Sequence, residues 1–104
     1  MSVNYSILAN NPVWNGNTKV SAATVVASAS TVPVPMALDQ LEPRTVIVSN
    51  TGTTNLFLTN QAAGTTGILL QPGAAITVGV SGTPLYVRNN SVTSSGEVVS
   101  ATLA

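Results

Sequence analysis

The chain has 104 residues, enough for one domain around one hydrophobic core. Of these, 44% are hydrophobic and only 6% charged, against about 25% charged residues in soluble proteins at large. Lys19, Arg44 and Arg88 cancel Asp39, Glu42 and Glu97, so no basic face is expected for a nucleic-acid backbone, and the lack of histidine and cysteine removes imidazole catalysis, thiol nucleophiles, disulfides and zinc sites.

Mean hydropathy is +0.38, yet the apolar residues come in short packets, far below the roughly 20-residue run of a spanning helix. No membrane partner is expected. The opening MSVNYSILANNPVW lacks a basic start followed by an apolar segment, so the expectation is synthesis in a cytoplasm without a secretory signal.

In chain order, SILANNPVWNGN is rich in asparagine and carries Pro12, which predicts an extended N-terminal arm over residues 1–20. Trp14, the only tryptophan, either caps the chain's own core or anchors the arm to a partner, and Tyr5 poses the same choice. KVSAATVVASAS is expected to form one strand, because Val25 and Val26 disfavour helix and no cap brackets the run. TVPVP at 31–35 cannot be a central strand, since proline has no ladder donor, and LDQLEP at 38–43 offers at most one helical turn. Residues 21–43 are therefore expected to be a connecting strand region ahead of a compact β-domain over 44–104.

Within that domain Val, Thr and Ile dominate, and their branched Cβ atoms favour pleated strands. Arg44 opens the strand RTVIVS, with Val46 and Val48 on one face and Thr45, Ile47 and Ser49 on the other. After the turn NTGT, Leu56 and Leu58 alternate with Phe57. Ile68–Leu70 runs into QPG, where Gly73 can take the positive φ of a type II turn. Ile76, Val78 and Val80 form the next stripe, Leu85 and Val87 continue beyond SGTP, and the final strand is expected over Glu97–Leu103. GTTNLFL and GTTGILL echo one another across a hairpin. Turns every 8–12 residues or so predict an all-β fold, a small antiparallel β-sandwich or jelly roll.

Little chemistry can be assembled from these residues. Asp39 and Glu42 are the only neighbouring carboxylates, and their proline-bounded setting favours backbone capping over a glycosidase pair. Lys19 lies in a polar stretch and is a poor base for any serine. No enzyme activity, cofactor or metal is expected. Arg44 pairs with a local acid such as Glu42 or reaches a partner carboxylate, while Arg88 reads as a solvated charge. Asn4-Tyr5-Ser6 and Asn89-Asn90-Ser91 match glycosylation acceptors, with little weight in the absence of a secretion signal.

Several packets are apolar on both faces, TVIV, NLFL and GILL among them, more than a free two-sheet monomer needs. With almost no charge to keep copies apart, a homo-oligomer is expected, and if Leu56 and Leu58 are core, Phe57 becomes its interface side chain.

The stretches ALDQLEPRTVIVSNTGTTNLFLTN and GILLQPGAAITVGVSGTPLYVRN resemble a pattern recurrent in small virion proteins of tailed bacteriophages. An arginine precedes an apolar strand ending in Asn-Thr-Gly, then come a second strand, a Pro-Gly turn and a strand with an aromatic. Arg44, Val46, Val48, Asn50, Gly52, Leu56, Leu58, Pro72, Gly73, Ile76, Val78, Leu85 and Tyr86 carry it, over about the last 60 residues. The resemblance implies a structural virion protein on the capsid exterior. As a decoration or cement protein it would bind the outer surface of the major capsid protein lattice and stabilise the mature head, as a trimer, with Tyr5, Trp14 and Arg44 as candidate capsid contacts. The alternative it leaves is a head-fibre or tail adhesin that binds carbohydrate, for which the aromatic supply is Tyr5, Trp14, Phe57 and Tyr86.

Overall fold

A computed structural model describes Gly16 and residues 18–35, 44–62 and 66–103. Those residues are all-β: β1 (Lys19–Val20), β2 (Thr24–Val26), β3 (Ser30–Pro33), β4 (Arg44–Asn50), β5 (Leu56–Thr59), β6 (Ile68–Leu70), β7 (Ala75–Val80), β8 (Tyr86–Asn89) and β9 (Gly96–Leu103). One sheet runs β1-β9-β4-β7, with β2 also on β9, and the other runs β3-β8-β5-β6. All pairings are antiparallel. Apart from β1 and β2, and the β5–β6 hairpin, which each stay within one sheet, successive strands change sheets in the interleaved order of a jelly roll.

β1 and β2 behave as one interrupted strand. Lys19 pairs with Thr102 and Thr24 with Val98, so residues 21–23 contain one more residue than the facing stretch of β9, as in a β-bulge. Ser21 seals the break. Its N–H donates to Ser100 O at 2.8 Å, its Oγ accepts from Ser100 N at 3.0 Å, and Ser100 Oγ turns to Pro35 O. The expected single strand over KVSAATVVASAS is thus present in two pieces. β3 forms an edge of its sheet, the one kind of place where Pro33 costs no ladder bond.

The core follows the predicted alternation. Val46 and Val48 of β4, Leu56 and Leu58 of β5, Val80, Leu85, Val87 and Val98 all face inward and are buried. Val26 and Val34 join them, so the stretch expected to connect arm to domain contributes a strand to each sheet and part of the core. The helical turn expected at 38–43 lies outside the described residues.

The two ends of the sandwich differ. At one end the short turns 27–29, 51–55, 71–74 and 90–95 come together. Gly73 there has φ of 81°, as the type II turn requires, and Ala29 has φ of 52°, which an alanine adopts only where neighbours hold it. Two buried asparagines close this end. Asn50 Nδ2 donates to Thr54 O and Leu70 O, each at 2.8 Å, while its Oδ1 accepts from Gly52 N. Asn89 repeats the motif, donating to Ser94 O at 2.7 Å and Val26 O at 3.3 Å and accepting from Ser91 N at 2.9 Å. At the opposite end lie the connections 60–67 and 81–85, the start of β1, Pro35 and the start of β4.

Candidate functional site

Register decides what the outer face of the second sheet presents. Phe57 pairs with Leu69 on one side and Arg88 on the other, and Arg88 pairs with Thr31. Because Leu56, Leu58 and Val87 point inward, strand alternation turns this whole row outward. A second row holds Pro33, Tyr86 and Thr59. Phe57 and Tyr86 are therefore diagonal neighbours on adjacent strands, within reach of one another's rings.

Arg88 is fixed in the middle of this face. Its Nη1 donates to Thr31 Oγ1 at 2.9 Å and its Nε to Asn90 Oδ1 at 2.6 Å. The sequence expectation of a solvated charge in a loop is corrected: Arg88 lies within β8, tied down by its partner Thr31 on the neighbouring strand β3. Such a tether fixes the orientation of the guanidinium on this face. Leu69, at 47% exposed, completes an apolar band with half-buried Phe57 and Tyr86.

The candidate residues named from sequence do not gather at one place. Tyr5 and Trp14 lie outside the described residues, as do Asp39 and Glu42. Arg44 shares the inward parity of Val46 and Val48 and is half-buried at the open end of the sandwich, engaged within the chain. Phe57 alone stands on the outer face. Arg88 and Leu69 were missed, because nothing local to either indicates its cross-strand neighbours. Asn89 of the Asn89-Asn90-Ser91 match is fully buried with its amide committed, so it is no glycan acceptor in the folded chain.

A second feature lies at the open end. β6 has three residues and β7 six, so the shorter strand cannot cover the longer. The result is a cleft of ≈ 500 Å³ with Leu58, Ile68, Val78, Val80 and Leu85 in its floor and Thr59, Gln61, Thr66, Ser81 and Thr83 around it. Among the described residues there is no group of three or more acidic side chains that could hold a metal ion, and no helix long and apolar enough to cross a membrane.

No protein-family profile matches the chain, and no curated protein matches it. Among solved structures, one from Bacillus, described under endospore appendages that form a novel family of disulfide-linked pili, aligns over 90% of this chain and 96% of that one. The identity is 14% and the TM-score 0.45. The present chain has no cysteine.

Proposed function

We propose that this jelly roll is a structural subunit that works by docking onto a larger protein assembly and performs no catalytic step. The finer reading is a decoration or cement protein of a tailed-bacteriophage capsid, made in the host cytoplasm and seated as a trimer on the outer surface of the major capsid protein. The observation that carries it is the outward row Leu69, Phe57 and Arg88: a flat apolar band with one tethered cation, on a molecule that otherwise has almost no charge. Such a face suits a broad, hydrogen-bonded protein contact, with aromatic anchors at its centre. A clamp that binds only the mature shell would stabilise it by RT ln(1 + [L]/Kd), about 2.7 kcal/mol per site at a hundredfold excess over Kd.

The test uses empty expanded capsids and the purified protein. Co-sedimentation that saturates, with a rise in capsid melting temperature, supports the reading. Phe57→Asp should abolish both and leave β-structure intact by circular dichroism, since Phe57 lies outside the core. In solution the same variant should reduce a mass of three chains to the 10.5 kDa of one, since Phe57 joins the copies and capsid binding is lost with the avidity of three linked chains.

The adjacency of Phe57 and Tyr86 on one face favours a second reading, a carbohydrate-binding adhesin, because an aromatic platform with polar neighbours can hold a sugar ring. A glycan panel separates the two: specific binding lost in Tyr86→Ala, without capsid binding, selects the adhesin.

A further inference from the structure

Among the described residues one sheet ends on the β1–β2 pair and on β7, the other on β3 and on β6. A strand at a sheet edge is a template for another chain unless something blunts it, and a short strand, a bulge, a lysine or a proline is the usual device. β6 has three residues, β3 carries Pro33, and the β1–β2 edge is broken at residues 21–23 and holds Lys19. β7 has none of these. AITVGV is six continuous residues without proline or charge, and its Ala75, Thr77 and Gly79 are exposed.

Hydrogen-bond parity shows which main-chain groups this edge presents. Asn50 N–H donates to Ala74 O at 2.9 Å and Thr51 N–H to Glu97 O at 3.1 Å, so alternate residues of β4 serve β7 and β9 in turn. Val48 and Val46 share the parity of Asn50 and turn towards β7, where Ile76 and Val78 face them. Ala75, Thr77 and Gly79 therefore point their N–H and C=O groups away from β4. They are the same three residues that are exposed.

This row is self-complementary. Set antiparallel to a second copy of itself with Thr77 opposite Thr77, it places Ala75 opposite Gly79, and all three residues exchange N–H and C=O groups with the facing strand. Sliding the copies by two residues carries one member of the row beyond the end of β7. In the matched register Ile76 lies opposite Val78 in the closer kind of antiparallel pair, about 4.5 Å between Cα atoms, and adds apolar contact on the inner side, where both are half-buried. On the outer side threonine meets threonine and alanine meets glycine, with no bulk to clash and no charge to repel.

We infer that β7 is a self-pairing edge: two copies of this chain join β7 to β7 about a two-fold axis at Thr77, and the sheet runs on from one copy into the other. The contact is isologous. Its few residue pairs bury far less than the roughly 1,200 Å² of a stable complex, so it is weak in dilute solution and forms at high concentration or between copies already held side by side on an assembly. It goes beyond the docking reading above and makes no use of Phe57.

Because the chain has no cysteine, single cysteines report both the contact and its register. Facing residues of the hydrogen-bonded kind stand about 5.5 Å apart at Cα, within reach of a disulfide. Full-length Thr77→Cys, concentrated towards the millimolar range and oxidised mildly, should give a linked dimer at about tenfold the yield of Val92→Cys, a control site exposed in the loop 90–95. Ala75→Cys and Gly79→Cys should each stay near the control alone and link to one another when mixed. Thr77→Pro in both chains of that mixture should return the yield to the control while β-sheet circular dichroism persists, because the Thr77 N–H faces away from β4 and a proline there costs the single chain no ladder bond. Should the proline variant lose its sheet signal, Thr77→Lys, which sets two cations face to face across the axis, is read in its place. Every linkage should survive in a Phe57→Asp background, which separates this contact from any failure of capsid binding. Thr77→Cys linking no better than the control, or Ala75→Cys and Gly79→Cys linking no better mixed than apart, would overturn the inference.

Discussion

The two ends of this sandwich are built on opposite principles. At the turn end, each loop is short and its polar groups are consumed internally: Asn50 and Asn89, both buried, bind carbonyls and amides from loops that precede and follow them, and Thr54 Oγ1 ties its loop to Ser95 O at 2.9 Å. At the open end, the connections 60–67 and 81–85 carry exposed hydroxyl and amide side chains around an apolar floor. A buried amide that loses its partners leaves several groups unsatisfied at once, while an exposed one exchanges its partners for water. The difference teaches that stability is concentrated at one end and capacity for outside contact at the other.

The sharpest way to break this comparison is Asn50→Ala. It removes the partner of Leu70 O in the interior and of Thr54 O and Gly52 N in partly buried positions, with an expected loss of about 3 kcal/mol and a fall in Tm of roughly 10–25 °C by calorimetry. Retention of the wild-type Tm would show that water replaces the amide and that the turn end is not the stable one. Next comes Gly73→Ala, which forces a Cβ onto a backbone at φ of 81° with no steric obstacle nearby. The expected cost is purely conformational, about 1–2 kcal/mol, read as a shift in the urea midpoint at constant slope.

Within the core towards the open end, Thr102 Oγ1 is buried without a hydrogen-bond partner. Thr102→Val replaces the hydroxyl with a methyl of the same shape, so stability should rise by about 1 kcal/mol. A loss instead would reveal a partner for that hydroxyl. The smallest effect is expected at the rim of the cleft, where Gln61→Ala should change stability by less than about 0.5 kcal/mol. A larger drop there would contradict the division between the two ends.

Much of the fold was legible because one physical rule governs it. The stripes Val46 and Val48, Leu56 and Leu58, and Ile76, Val78 and Val80 alternate with period two, and each faces the core. Pro33 also spoke truly in excluding a central strand, but it suggested a segment outside the domain when the chain instead spends the proline on an edge. A single sequence shows that β3 cannot donate; it does not show that β8 stands ready beside it. The docking face was harder still. Phe57 could be singled out by elimination, once Leu56 and Leu58 were assigned inward. Its neighbours Arg88 and Leu69 depend on the registers of three separate pairings, and the contact of Arg88 with Thr31 spans 57 residues of chain. The asparagines illustrate the same limit: Asn89 reads as a surface acceptor site in sequence and proves to be an internal brace.

The place of β9 has a consequence for how the protein comes into being. This strand sits at the middle of its sheet, paired with β1 and β2 on one side and β4 on the other. Until residues 96–103 have been made, β1 and β2 have nothing to pair with in that sheet, and the apolar inner faces of β4 and β7 lack their central neighbour. Contacts between chain segments this distant form slowly, and the waiting strands are sticky in the meantime. A sequence with so few charges offers little repulsion to protect them. Yield in the cell should thus depend on temperature and on the rate of synthesis more steeply than the stability of the finished fold would suggest.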